Sequence, residues 1–278
     1  KIENNNFANK NNIVLKIGTP RFIRKIKGKI LSLLTGGGGN NNYFHWLFDV
    51  LPRIEIFNQL YNIEDIDFLL IPSYSKRFQK ETLNLLDFDS NKILSSVTYR
   101  HIQANEIFVT QHPYRLNDFY KDELNMPIWI SNWLKLKFLN KIKYSKNSFP
   151  RKIYIDRKDS DYQGRKIINE DEIKNYLENE GFKFLQLSKY SFIDQIKIFS
   201  EAETVVGLHG GGFANIVFCK ANTKILEFRT QRTGQLFENI GVQNKLNFEK
   251  IECIPDNPGA VDQQGHIKVN IEEIKKKL

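Results

Sequence analysis

From Lys152 onward the chain alternates short apolar runs with helical stretches, and this alternation restricts the fold more than any other feature. Lys152 to Asp156 reads as a strand, followed by a polar loop from Arg157 to Lys166. Asn169 and Glu172 give a capping-box-like start to a helix that runs to Glu180 and stops at Gly181. Phe184 to Leu187 is a second strand, and Ser191 with Asp194 caps a helix to about Glu201. A third strand, Val205 to Leu208, leads to a helix over Phe213 to Phe218, and Lys224 to Phe228 is a fourth strand. Strands separated by helices pair in parallel and need helices on both faces, so the expected class is α/β with a doubly wound sheet. Ligands of such sheets sit beyond the carboxyl ends of the strands. Arg157, His209 and Glu227 all fall at such ends.

The third strand and its turn read TVVGLHGGGFAN, Thr204 to Asn215. Gly210, Gly211 and Gly212 form a strand-to-helix turn whose backbone N–H groups can approach an anion, with the helix dipole favouring negative charge there. The spacing is not GxGxxG, and glycine runs also serve in plain tight turns. His209 adds chemistry: beside an exposed turn it is placed for a ligand, or for a backbone hydrogen bond at a strand end.

The first half is less regular. Lys1 to Asn12 is polar and asparagine-rich, Ile13 to Ile17 is a weak strand, Arg21 to Lys29 is basic, and Ile30 to Leu34 is a strand ending at Gly36 to Gly39. NYFHWLFDVLPR, Asn42 to Arg53, is the second informative stretch. Asn42 suits an N-cap for a helix reaching about Leu60, kinked at Pro52. His45, Asp49 and Arg53 are four apart and share one helix face, while Leu47, Val50, Leu51, Ile54 and Phe57 pack on another. A polar stripe is usually a solvated face, but Tyr43, Phe44, Trp46 and Phe48 surround this one and read as a cleft wall. Further expected elements are a strand at Phe68–Ile71, a helix at Lys76–Leu86, strands at Lys92–Val97 and Ile107–Thr110, and a helix at Pro127–Ile142. The polar stretch Lys143 to Pro150 is the expected boundary between domains 1–145 and 146–278.

The 278 residues suit two domains, and a net charge of +9 points to a solvated basic surface or to an anionic ligand, polymer or lipid headgroup. The basic residues are dispersed and match no nucleic-acid-binding module, so no nucleic-acid partner is expected. No run approaches the ~20 apolar residues of a membrane span. Cys219 and Cys253 stand alone, which supports neither a disulfide framework nor a zinc site. The chain has no Asn-x-Ser/Thr acceptor, so a cytoplasmic protein, peripheral to a membrane at most, is expected. Asp-x-Asp pairs occur at Asp65–Asp67, Asp87–Asp89 and Asp159–Asp161, in unrelated settings, and no metal or other cofactor is expected from them.

Taken together, NNYFHWLFDVLPR, RKIYIDR with Arg165 and Asn169–Glu170, SFIDQIKIFSEAE, VVGLHGGGFAN with Glu227 on the next strand, and the closing IKVNIEEIKKKL resemble glycosyltransferase family 61 in order and over most of the chain. Gly211 and Phe213 stand where the family more often has alanine and leucine. The resemblance implies a GT-B-like architecture, two doubly wound α/β domains facing across a cleft. It also implies an inverting, metal-independent enzyme that moves a sugar from a nucleotide diphosphate donor, here a UDP-sugar, to a hydroxyl of a glycan. The chain looks most similar to bacterial members of surface-polysaccharide and capsule clusters.

Under that resemblance the expected base is Asp49, with His45 its neighbour or alternative. Arg157, Arg165, His209 and Gly210 to Gly212 hold the donor diphosphate, and Glu227 takes the ribose hydroxyls. Asn42, Trp46 and Arg53 serve the acceptor or support the site. A non-catalytic nucleotide-sugar binder on the same fold is the competing expectation, because fold alone does not establish turnover.

Overall fold

The computed structural model describes residues 22–35, 41–115, 125–160, 164–256 and 265–278. The polar start Lys1–Asn12, the expected strand Ile13–Ile17, the run Gly36–Gly39 and Asp161 lie outside the described residues. Two all-parallel sheets carry the chain. The first contains β1 (Arg24–Ser32), β2 (Phe68–Ile71), β3 (Ile93–Ser95) and β4 (Ile102–Val109), in the order β3-β2-β1-β4. The second contains β5 (Lys152–Ile155), β6 (Lys183–Leu185), β7 (Thr204–Leu208), β8 (Lys224–Thr230) and β9 (Asn247–Cys253), in the order β6-β5-β7-β8-β9. The direction of winding reverses once in each sheet, between β1 and β4 and between β5 and β7. Such reversals open crevices at the strand carboxyl ends.

Helical segments follow the strands. α1 (Tyr43–His45) runs into a π-helical turn (Trp46–Val50) and then α2 (Arg53–Asn58). Later come α3 (Arg77–Leu85), α4 (Ile128–Phe138) with a 3₁₀ extension (Leu139–Tyr144), α5 (Glu170–Asn179), α6 (Phe192–Glu201), α7 (Leu236–Gln243) and α8 (Ile271–Lys277). No described helix is long and apolar enough to cross a membrane.

Strand alternation sorts the core. In the second sheet Ile153, Ile155, Val205 and Ile225 face one way, against α6 and α7, while Tyr154, Val206, Leu226 and Phe228 face α5 and α8. The first of these clusters continues without a break into Leu31, Leu69, Ile71, Trp46 and Phe48 of the first half. α4, although it precedes the expected boundary, shares this cluster through Ile130, Trp133, Leu134 and Phe138. Its 3₁₀ extension is tied to α6, where Ser145 Oγ donates to Asp194 Oδ1 at 2.6 Å.

Several local expectations are corrected. The basic stretch before Ile30 is already strand, interrupted by a register shift between Ile26 and Lys29. Gly28 sits there at φ 125°, a conformation that favours glycine. Asp67 braces this irregularity by accepting from Lys29 N at 2.7 Å, which gives half of one Asp-x-Asp pair a structural task. Asp89 caps a short 3₁₀ turn by accepting from Asn91 N. Asn169 does not close a capping box. Its side-chain amide donates to Glu172 Oε2 at 3.0 Å and pairs with the backbone of Val269, pinning the C-terminal segment. The expected helix over Phe213 to Phe218 is present as a 3₁₀ helix that starts earlier, Gly211–Phe218. α7 and the edge strand β9 add elements that had not been expected.

Candidate active site

The first crevice forms where α1 follows β1 and the loop after β4 returns beside it. Asn42 caps α1, accepting from the amides of Phe44 and His45 at 2.9 and 3.3 Å. Pro52 has no N–H to continue an α-helical ladder, and the chain answers with the π turn, closed by Leu51 N donating to Trp46 O at 3.1 Å. Arg53 is buried and straps the turn to the sheet: Nε donates to Asp49 O and Nη1 to Thr110 O, both at 2.9 Å.

Asp49 is the centre of this crevice. Its side chain is buried and three groups converge on it. His45 Nδ1 lies 2.7 Å from Oδ2, His112 Nε2 lies 3.5 Å from the same oxygen, and Tyr114 Oη donates to Oδ1 at 2.8 Å. Burial opposes ionisation of Asp49, but the hydrogen bonds from His112 and His45 outweigh it and hold the carboxyl well below the usual carboxylate range. An ionised carboxylate only accepts, so Nδ1 of His45 carries the ring proton and the lone pair of the neutral ring sits on Nε2. His45 is the more accessible partner, with 23% of its side chain exposed against 4% for Asp49.

The second crevice lies between the carboxyl ends of β5 and β7. His209 follows β7; its amide donates to Phe228 O, and its Nδ1 lies 2.5 Å from Glu227 Oε1. Glu227 is completely buried on β8, with its other oxygen 3.4 Å from Arg229. Arg229 is itself buried and also meets Glu252 at 2.7 Å. The carbonyl of His209 accepts from Arg157 Nη1 at 2.6 Å and from Arg165 Nη1 at 3.0 Å, so both arginines gather on the glycine turn. Gly210 has extended backbone, and its need for glycine is one of space: a Cβ would sit on the Arg157 guanidinium. A Cβ on Gly212 would come within 2.9 Å of Leu187.

The two crevices are in contact. Gly211 packs on Tyr43 and Asn42, and Tyr43 Oη donates to Asn215 Oδ1 at 2.6 Å. The Phe237 ring lies 5.9 Å from Phe44 and 4.9 Å from His209, and Phe44 lies 5.3 Å from His45. A cavity of about 250 Å³ opens at the junction, lined by Arg157, Asp159, Ser160 and Gly210 to Gly212, with Tyr43 and Phe78 closing it from the first half. Larger hollows lie by Lys224 and Asn247, the first residues of β8 and β9, and beside the loop Asn58 to Asp65. Neither lies at the carboxyl end of a strand.

The residues singled out in the sequence fall into two sets, Asn42, His45, Asp49 and Arg53 around one carboxylate and Arg157, Arg165, His209 and Gly210 to Gly212 around the glycine turn; of these, Arg157 and Gly210 to Gly212 line the cavity, and Asn42 approaches Gly211. Two readings change. Glu227 cannot take ribose hydroxyls, because it is fully buried and both oxygens are engaged within the protein. Trp46, Phe44 and Phe48 are core residues rather than a cleft wall; Trp46 is fully buried and its Nε1 donates to Thr82. Of that aromatic group, Tyr43 is the one that lines the cavity. His112, Tyr114 and Arg229 were missed. His112 and Tyr114 follow the expected strand Ile107–Thr110, and the rule that picked out His209 would also have found them.

The family model described as Glycosyltransferase 61 matches residues 43–226, a span that contains both sets except Asn42. No curated protein matches the chain.

Proposed function

The chain belongs to glycosyltransferase family 61, and from that premise and the two crevices we propose an inverting, metal-independent transfer of a sugar from a nucleotide diphosphate donor to a glycan hydroxyl. The two parallel sheets act as the two domains of a GT-B-like enzyme, divided between Lys143 and Pro150. The donor occupies the cavity at the glycine turn, with UDP-sugars the first candidates. Arg157 and Arg165, already gathered at the carbonyl of His209, meet the diphosphate with planar multi-donor cations. The Gly211 and Gly212 amides, at the start of the 3₁₀ helix, precede its first hydrogen bond and add to the stabilisation of the departing charge.

The observation that carries the assignment of the base is the convergence of three donors on Asp49. A carboxylate so held is a weak proton acceptor, whereas His45 keeps Nε2 for the acceptor hydroxyl. His45 is therefore the base and Asp49 orients it, the reverse of the order expected from spacing. Inversion then follows from one displacement: the acceptor oxygen attacks the anomeric carbon, its proton passes to His45 Nε2, and the nucleoside diphosphate leaves from the opposite face.

His45→Gln and Asp49→Asn test this, with donor affinity measured by calorimetry apart from turnover. His45→Gln is expected to lower kcat by about 10²–10⁴-fold with donor affinity within a few-fold of the parent. Asp49→Asn is expected to lower kcat as well, because an asparagine amide donates to His45 Nδ1 and moves the ring proton to Nε2. Activity is expected to survive chelation. A His45→Gln enzyme with normal turnover would return the base to Asp49, and donor binding without transfer or hydrolysis in the parent would favour a binding protein.

A further inference from the structure

The loop after β4 supplies two of the three donors to Asp49, and it also fixes which proton His112 presents. His112 Nδ1 accepts from two backbone amides, Tyr114 N at 3.3 Å and Arg115 N at 3.0 Å. A nitrogen facing two N–H groups cannot carry its own proton, so the His112 proton is on Nε2, the atom that faces Asp49. Tyr114 packs edge-on against His112, with ring centroids 4.8 Å apart, and directs its hydroxyl at the other oxygen of Asp49. The turn is thus a preformed pair of neutral donors aimed at one carboxylate. The remaining groups around Asp49 are His45 and the Arg53 guanidinium, which holds its backbone carbonyl, and the Arg115 guanidinium lies over the Tyr114 ring.

We propose that His112 and Tyr114 are positioning residues for proton transfer: they divide the charge of Asp49 and thereby set the pH at which His45 releases its proton. The inference rests on the reading of His45 as the base. Each hydrogen bond to Asp49 draws charge away from its contact with His45. Losing one donor concentrates that charge on the His45 Nδ1–H, favours the imidazolium, and keeps His45 protonated to higher pH. Because the base must be neutral, the acidic limb of kcat/KM then moves upward.

Two variants remove a donor with little change of shape. Tyr114→Phe deletes only the hydroxyl. His112→Asn places an amide oxygen where Nδ1 accepted the two backbone amides, so the turn stays capped while no donor reaches Asp49. Each is expected to shift the acidic limb of kcat/KM, and the NMR titration of His45 in the ligand-free full chain, upward by about 0.5–1 unit, part of the worth of a hydrogen bond to a charged group. ¹⁵N spectra of the parent are expected to show His112 protonated at Nε2. A lowered plateau with an unmoved limb and an unmoved His45 titration overturns the proposal, as does a parent His112 protonated at Nδ1, which needs no variant to fold. Failure of the underlying reading looks different: His45→Gln would stay active whatever the titration of His45 in Tyr114→Phe shows.

Discussion

Each half of the molecule carries one histidine–carboxylate pair, and the two are built differently. In the first, the carboxylate of Asp49 is shared among three donors, and the histidine is partly open, with its far nitrogen uncommitted to Asp49. In the second, Glu227 is completely buried between His209 and Arg229, His209 is buried as well, and its backbone carbonyl gathers two arginines. The same two residue types therefore serve two ends. A partly open ring backed by an anion shared among three donors suits the proton transfer proposed for it. A buried ring locked to a buried anion fixes the geometry of the loop that carries it.

The largest expected effect tests that division on the buried side. Glu227→Ala removes the partner of His209 and one partner of Arg229, leaving Arg229 to Glu252 and Glu238. Breaking a buried charge pair by deleting one member is expected to cost about 3 kcal/mol, read by denaturant unfolding. Donor affinity is expected to fall with it, since the His209 carbonyl that holds Arg157 and Arg165 loses its anchor. A Glu227→Ala protein of normal stability that has lost turnover alone would make the second pair chemical as well, and the contrast would collapse.

A smaller effect is expected from the glycine turn itself. Gly210→Ala puts a methyl group where the Arg157 guanidinium now lies, and the guanidinium, at the end of a flexible side chain, is the group that yields. Overpacking of this kind costs about 1–3 kcal/mol, and most of it is expected to appear as donor affinity about tenfold weaker, with the melting temperature little changed. Calorimetry that finds donor affinity unaltered would remove Arg157 from the donor site and leave it as a brace of the loop.

How much of this was legible in the chain differs between the halves. The second half announces its strands, because parallel strands with helices on both faces carry consecutive apolar residues, Val205–Val206 in one and Ile225–Leu226 in the next, bounded by glycine or caps. Ser191 caps α6 as its sequence suggests, accepting from Asp194 N. β4 and β9 are edge strands with polar residues at many positions, so alternation marks them weakly. The i, i+4 stripe of His45, Asp49 and Arg53 was visible, but not its burial, because the aromatics that suggested a cleft in fact close over it as core. The π turn at Pro52 depends on how a broken ladder is repaired, and periodicity does not encode that. His112 and Tyr114 follow a strand end and were within reach of the rule that found His209, but their role depends on a fold that brings residue 114 to residue 49. The burial of Glu227 likewise depends on Arg229, two residues along the same strand face, and only a pair of charges facing inward would have hinted at it.

The smallest effect concerns the link between the two pairs. Tyr43, two residues before His45, donates to Asn215 in the 3₁₀ helix of the glycine turn, and Asn215 in turn donates to Gln195 at 3.1 Å. Burial pushes the Tyr43 phenol well above its ordinary range, so it remains a neutral donor. Asn215 is completely buried, so Tyr43→Phe leaves its carbonyl oxygen without this donor, at a cost of about 1 kcal/mol in unfolding free energy. Because Tyr43 also lines the cavity, the same variant separates two roles. As a tether between the base-bearing helix and the donor turn, Tyr43→Phe should lose stability and turnover modestly, with donor affinity within a few-fold of the parent. As a ligand contact, it should lose donor affinity with stability intact. The first outcome would mean that the pair that moves a proton and the pair that holds the loop are kept in register by one hydroxyl. The second would make that hydroxyl part of the donor site and leave the aromatic contact of Phe44 with Phe237 as the main link.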